Sequence, residues 1–484
     1  MLFSKLTSPE KQPFVKTKIV ATIGPASREL EIVRNLIIAG VDVFRLNFSH
    51  GNYDEHASAL QAIRQASEEL SQPVAVMQDL CGPKMRLTAM ENNTNIQLPT
   101  NSIIEIAYGD LPSLNTKLYL KIIDPTTVLK RGERVLLHDG TIELIVEDIK
   151  SDSVICKVTE GGEVRSHAGI AFPDSDMNLP ATTEKDLKDL EWGLQHDIDY
   201  VAVSFVQNAA DITRLREIAQ NAGKELRFIP KIERRVALEC IDEILDVSDG
   251  ILVARGDLGV EIPVEKVPGI QRMLIRKGNK RGIPVIVATE MLQSMITESR
   301  PTRAEVTDIT FAVGLGADAV MLSGETAIGR HPIACVEYMR SIAYEIEQHY
   351  DSKAHRSFVS NAGSTTVPDA LAFAAVGAAE RINADSLIAP TCSGATARLL
   401  AKYRPEQVIT AVSDDKRTLQ RMALYRGVDP ILGEQVSLSD PDSYQRLFAL
   451  LKEKGQLKAG SIAVITGGLS AKSGTSEMHV CKVD

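Results

Sequence analysis

Eight short, almost unbroken apolar runs recur along this chain. They are KIVATIG (18–24), DVFRLNF (42–48), VAVMQDL (74–80), YVAVSFV (200–206), RFIPKIE (227–233), GILVARGD (250–257), PVIVATE (284–290) and DAVMLSGE (318–325). Longer amphipathic stretches separate them. A strand that is apolar on both faces must be covered on both, the condition of a parallel sheet flanked by helices. Eight βα units in a row predict a closed (β/α)8 barrel, the TIM barrel, rather than an open sheet.

The rhythm breaks once, between Leu80 and about Thr183. SIIEIAYG, ERVLLHDGTIELIVEDI and DSVICKVTEGGEV read as hairpin strands with Asp-Gly and Gly-Gly turns. They predict a small β-barrel lid inserted after the third strand. NLPATTEKDLKDLEWGL then resumes with a helix capped by Thr182 or Thr183 ahead of an acidic first turn. Beyond Tyr350, the polar stretch DSKAHRSFVSNAGSTTVPD reads as a linker. A smaller α/β unit follows, with a helix over 367–382 and strands at SLIAPT, QVITAVS and SIAVITG. The expected domains are 1–81 with 183–350 for the barrel, 82–182 for the β-rich insertion and 351–484 for the C-terminal unit.

The formal net charge of -10 argues against a nucleic-acid-binding surface and against an anionic membrane surface. Cys81, Cys156, Cys240, Cys335, Cys392 and Cys481 form no CxxC pair and suggest free thiols in a reducing compartment. The first residues lack an apolar signal region, and no run reaches about 18 apolar residues. A soluble, cytoplasmic protein is expected.

Chemistry in a barrel sits at the carboxyl ends of its strands. Strand by strand, those ends supply Arg45, Asn47, Ser49 and His50; Asp79, with Lys84 and Arg86 just beyond; Lys231 and Glu233; Arg255 and Asp257; Thr289 and Glu290; Ser323 and Glu325. Any one of these could be an ordinary rim residue, and their weight lies in convergence. Glu233 and Asp257 could hold a hard divalent ion that keeps waters and ligand oxygens in its other positions. The alternative is a salt bridge to Arg or Lys. Arg45, Lys231 and Arg86 add fixed positive charge. Cations with magnesium are what phosphoryl transfer needs, because its catalysis is mostly positioning and charge stabilisation. Thr289 and Ser323 could relay a proton through water.

KIVATIGPAS, FRLNFSHG, QDLCGPKMR, PKIE, VARGDLGVEI, ATEMLQSMI, RPTRAEVTDI and MLSGETA occur in order between residues 17 and 327. Together they resemble the motifs of the pyruvate kinases, and TCSGATARLLAKYRP resembles that family's C-terminal domain. The resemblance implies a barrel, a β-rich lid, a C domain carrying effector and subunit contacts, and a homotetramer. The implied reaction moves the phosphoryl group of phosphoenolpyruvate to ADP and protonates the enolate, giving pyruvate and ATP. The resemblance implies that Arg45 contacts the phosphoryl group in transit and that Lys231 stabilises the enolate oxygen. It implies Glu233 and Asp257 as ligands of Mg2+, with Mn2+ as an alternative. The backbone around Gly256 and Asp257, at the start of the short helix LGVEI, would hold the substrate carboxylate. Thr289 would lie near the protonated carbon, and Asn47, Ser49 and His50, with Arg86, would line the nucleotide phosphates.

Four positions carry further expectations. Ala168 stands where the family usually has a lid lysine, and Glu290 and Gln293 stand where it more often has Gln and Glu. Lys84 falls where the family divides between glutamate and lysine. In the glutamate branch a K+ ion sits among residues equivalent to Asn47, Ser49 and Asp79, and a tethered ammonium can replace it. A requirement for Mg2+ but not K+ is therefore expected. In the C-terminal unit, Thr391, Ser393, Gly394 and Thr396 start a helix, and a second Gly-rich loop carries Lys472, Ser473 and Gly474. Backbone N–H groups there can receive a phosphate, and a sugar monophosphate or AMP is the expected effector. A metal-dependent aldolase and an inactive metabolite-sensing paralogue are the rival readings.

Overall fold

A computed structural model describes residues 13–175, 180–360, 366–434, 441–467 and 475–483. The strands Lys18–Thr22, Val43–Asn47, Ala75–Asp79, Tyr200–Val203, Arg227–Ile232, Ile251–Ala254, Val285–Ala288 and Ala319–Leu322 form one closed parallel barrel in chain order. The first strand closes the ring by pairing with both the second and the eighth.

Strand pleating sends alternate residues to opposite faces. Ile19, Phe44, Leu46, Val76, Val201 and Phe228 pack with residues of the surrounding helices. Val20, Val43, Ala75, Met77, Tyr200, Ala202, Ile229, Leu252, Ile286 and Ala319 belong to a second core, of the opposite parity. Continuing that inner parity toward the carboxyl ends leads from Val43 to Arg45 and Asn47, and from Met77 to Asp79. It leads from Ala202 to Ser204, and from Ile229 to Lys231 and Glu233. The same period-2 pattern therefore fills the barrel floor with hydrocarbon and its upper rim with charge. Helix Glu184–Gln195 starts at Thr183, which accepts from Asp186 N–H while the Asp186 carboxylate accepts from Thr183 N–H, a reciprocal cap.

The insertion has its own buried core, from Met85 to Phe172. Its six-stranded sheet runs, edge to edge, Ile170–Ala171, Arg134–Leu137, Ile142–Ile149, Val154–Glu160, Ile103–Tyr108 and Lys117–Leu120. Arg86 bridges Gly169 beside one edge strand, and Leu87 bridges Leu120 on the other edge. The two residues entering the insertion thus reach across the gap between its edges. The Asp-Gly connection is as expected: His138, Asp139 and Gly140 all have positive φ and join two antiparallel strands. The Gly161–Gly162 reading is corrected. Strand Gly162–Val164 does not fold back on its predecessor but pairs with Ile96–Leu98. A Cβ on Gly161 would stand 2.2 Å from Leu98 O, so glycine is required there by backbone approach rather than by a turn.

The reading of DSKAHRSFVSNAGSTTVPD (351–369) as a linker is also corrected over Ser352–Ser360, which is helical. Its polar composition hides a helical spacing, His355 and Val359, both buried. The C-terminal sheet has the order Val428–Leu432, Ile409–Ser413, Ser386–Pro390, Ile462–Gly467 and Glu477–Lys482. Its two outer strands were not anticipated. The first carries Pro430, which an edge strand tolerates. The last pairs antiparallel with its neighbour. Among the described residues, no helix is long and apolar enough to cross a membrane.

Candidate active site

The rim residues of the first five barrel strands join in one buried network. Arg45 Nε donates to Asp79 Oδ2 at 2.6 Å, and Arg45 Nη1 donates to Thr22 Oγ1 at 3.1 Å. Lys231 Nζ lies 2.8 Å from Glu233 Oε1 and 3.5 Å from Asp79 Oδ1, and donates to Ser204 Oγ at 2.8 Å. Ser204 in turn donates to Leu80 O at 2.6 Å. Phe205 N–H donates to Glu233 Oε2 at 2.7 Å.

Burial alone would lower the Lys231 pKa, but the Asp79 and Glu233 carboxylates outweigh it and hold the ammonium above its usual range. The folded protein therefore favours the charged form of Lys231. Burial pushes Glu233 upward; Lys231 opposes this, and the nearby Asp257 carboxylate adds to it. Glu233 Oε1 and Asp79 Oδ1 are buried against the Lys231 ammonium, at 2.8 and 3.5 Å, and accept no other hydrogen bond among the described residues. A buried carboxylate oxygen with spare acceptor capacity, facing a second carboxylate, fits a hard divalent cation. With Glu233 and Asp257 as its protein ligands, such an ion would keep positions for waters and substrate oxygens.

Asp257 lies in helix Arg255–Glu261, which begins three residues before the expected LGVEI start. Gly256 N–H donates to Thr289 Oγ1 at 2.8 Å, and Thr289 Oγ1 donates to Ala288 O at 2.6 Å. Thr289 and Glu290 have φ of 70° and 56°. Positive φ at a β-branched residue is strained by about 1–3 kcal/mol and persists only when its surroundings hold it. Arg255 supplies that hold, donating to Ala288 O, to Thr289 O at 2.7 Å and to Asp308 Oδ1 at 2.6 Å. Arg255 is thus a support of the site. Glu325 is likewise internal, accepting from Ser323 N–H and Leu292 N–H.

Asn47 Oδ1 accepts from Ser49 N–H at 3.1 Å. His50 is exposed at the tip of that loop, and its pKa is lowered by partial burial and by Arg86, Arg45 and Lys84, in that order. Arg86 Nη1 donates to His167 O in the insertion at 3.1 Å. The Lys84 ammonium stands 3.5 Å from Asp257 Oδ1 and 3.9 Å from Asp139 Oδ1. Asp79 pairs with Arg45 and Lys231, and Lys84 pairs with the carboxylates of Asp257 and Asp139. A cleft lined by Lys84, Asp139 and Gly169 on one side and Phe205, Asp257 and Glu261 on the other separates insertion from barrel.

Ser204 and Thr22 are site residues that sequence reasoning missed. Both lie on the inward parity of their strands, the signal that would have found them. In the C-terminal unit, Thr391 Oγ1 accepts from Gly394 N–H, and Thr396 and Thr475 share a 2.8 Å hydroxyl contact. The latter ties the two Gly-rich segments together. Lys472, Ser473 and Gly474 lie outside the described residues.

A closed parallel barrel whose rim joins a lysine cation, an arginine and paired carboxylates is the frame of a charged enzyme site. The family model described as "Pyruvate kinase, barrel domain" matches residues 14–336, and "Pyruvate kinase, alpha/beta domain" matches 369–481. "Pyruvate kinase 2" of Synechocystis is 39% identical over 467 residues, covering 96% of this chain and 78% of that protein. "Pyruvate kinase" of Bacillus licheniformis is 38% identical over 469 residues, covering 96% and 79%. That of Staphylococcus epidermidis is 38% identical over 466 residues, with the same coverage. The chain belongs to the pyruvate kinase family, as a phosphotransferase acting on phosphoenolpyruvate.

Proposed function

We propose that the rim network performs the transfer from phosphoenolpyruvate to ADP, with Arg45 on the phosphoryl group in transit and Lys231 on the enolate oxygen. As the P–O bond to the enol breaks, its electron pair collects on that oxygen, and a fixed ammonium stabilises charge where it develops. The phosphoryl group bonds to a terminal oxygen of ADP. The enolate carbon then takes a proton near Thr289, relayed through water with Ser323, and pyruvate results. The Asp257 N–H, and the Gly256 N–H once released from Thr289 Oγ1, receive the substrate carboxylate. Asn47, Ser49, His50 and Arg86 line the nucleotide phosphates, closed over by the 82–182 lid.

The family generally uses Mg2+; here Glu233 and Asp257 would hold it, or Mn2+ in its place. When bound, the ion supplies charge stabilisation to the substrate oxygens. The ammonium of Lys84, beside Asp257, stands in for a monovalent cation, so K+ is not required. A homotetramer in the cytoplasm, with a phosphorylated effector at Thr391, Ser393, Gly394, Thr396 and the 472–474 loop, completes the reading.

The observation that carries this reading is the buried chain of contacts from Arg45 through Asp79 and Lys231 to Glu233. Its test is a coupled assay for pyruvate formed from phosphoenolpyruvate, ADP and Mg2+. ADP-dependent pyruvate supports it. No turnover would favour an inactive paralogue, and nucleotide-independent carbon–carbon chemistry would favour an aldolase.

A further inference from the structure

The loop after the second barrel strand holds Asn47, Ser49 and His50, yet its conformation is fixed from outside the rim. Phe48, in the middle of that loop, is buried against Trp192, with ring centroids 5.2 Å apart. Phe48 O accepts from Lys185 Nζ at 2.8 Å, and Lys185 is held by Asp189 Oδ2 at 2.5 Å. Asp189 Oδ1 accepts from Tyr53 Oη. The last carbonyl of the loop, His50 O, lies 3.1 Å from His56 Nε2. A carbonyl can only accept, so Nε2 carries the proton. The His56 ring also stacks on Phe48, with centroids 4.0 Å apart and planes 11° from parallel. Gly51, at φ 75°, turns the chain between the loop and the helix Tyr53–Glu69 that carries His56. A Cβ on Gly51 would come within 3.5 Å of His56 Nε2.

We infer that His56 is a positioning residue for the nucleotide side of the site, holding the His50 carbonyl and so fixing the backbone that carries Ser49 and His50. This rests on the nucleotide role proposed for Asn47, Ser49 and His50. His56 touches none of the reacting groups. One edge fixes the loop's end by a hydrogen bond, while the ring face packs on its middle. The loop thereby receives a hydrogen bond at two of its carbonyls, from Lys185 and His56, on the side away from the rim. Preorganising a binding loop in this way raises affinity by removing an ordering cost from the binding step.

Two substitutions separate the components. His56→Phe keeps an aromatic ring beside Phe48 and removes the donor, whereas His56→Gln keeps an N–H donor and removes the ring. The affinity for ADP is read by calorimetry, and half-saturating ADP and phosphoenolpyruvate by steady-state kinetics. His56→Phe should raise both ADP values about tenfold, the scale of one lost hydrogen bond. Half-saturation by phosphoenolpyruvate should stay unchanged, and His56→Gln should recover part of the ADP loss. Unaltered ADP affinity in His56→Phe would overturn the inference. Half-saturating ADP and phosphoenolpyruvate rising together would also overturn it, because that marks general damage. Wild-type protein that binds no ADP would instead refute the nucleotide reading itself.

Discussion

Arg45 Nε donates to Asp79 Oδ2 across 2.6 Å, tying the second barrel strand to the third through a pair almost sealed from solvent. Removing one partner of a buried pair leaves the other charge uncompensated, at about 3–5 kcal/mol. Here the loss would leave two cations, Arg45 and Lys231, facing the gap. Asp79→Ala should therefore lower the denaturant midpoint markedly, while the isosteric Asp79→Asn should cost less. A midpoint for Asp79→Ala matching wild type would show that the pair is not structurally coupled.

Asp257→Asn removes a charge without changing shape. Activity should fall by orders of magnitude, circular dichroism should be unchanged, and the Mg2+ concentration needed for half-maximal rate should rise. Near-normal turnover at saturating Mg2+ would refute Asp257 as a metal ligand.

Lys84 stands 3.5 Å from Asp257 and 3.9 Å from Asp139, between barrel and insertion. Wild-type rates should survive replacement of K+ by a bulky organic cation. Lys84→Glu should be nearly inactive in K+-free buffer and should regain activity when K+ is added. Collapse of the wild-type rate without K+ would contradict the substitution of a tethered ammonium for the ion.

His355 joins the segment after the barrel to the C-terminal unit. Its Nδ1 lies 2.8 Å from Tyr350 Oη and its Nε2 lies 3.1 Å from Lys402 O. Burial, then Arg404, lowers its pKa from 6.5 to about 3. The folded protein keeps this ring neutral while the unfolded chain protonates it below pH 6.5. Stability is therefore retained above about pH 6.5 and falls as pH drops toward 3, by about 1.4 kcal/mol per unit at most. His355→Asn should flatten that part of the stability profile between pH 4 and 6.5. An unchanged slope would remove His355 as its source.

The barrel was legible because its rule is local. Each inward-facing strand position obeys a two-residue period, so Arg45, Asp79, Lys231 and Glu233 could be placed on one rim before any contact was known. Ser204 obeyed the same rule but carries no charge, and its role depends on where the Lys231 ammonium ends. Gly161 looked like turn chemistry, because close approach to Leu98 O is a tertiary fact that a Gly-Gly pair does not announce. Helix Ser352–Ser360 was hidden by composition, since two buried residues, His355 and Val359, anchor a segment otherwise rich in polar side chains. The partners of Lys84 were also out of reach, because the barrel supplies Asp257 and the insertion Asp139 from far along the chain.

In the proposed role, the Lys231 ammonium, sustained by Asp79 and Glu233, stabilises the enolate oxygen during the transfer. Lys231→Met keeps most of the side chain's length and removes its charge. The most direct measurement is the rate of pyruvate formation from phosphoenolpyruvate, ADP and Mg2+ by this variant beside wild type, both confirmed folded. Loss of one preorganised charge at the reacting oxygen predicts a fall in kcat of about 10²–10³-fold or more. A variant turning over within a few-fold of wild type would contradict the account.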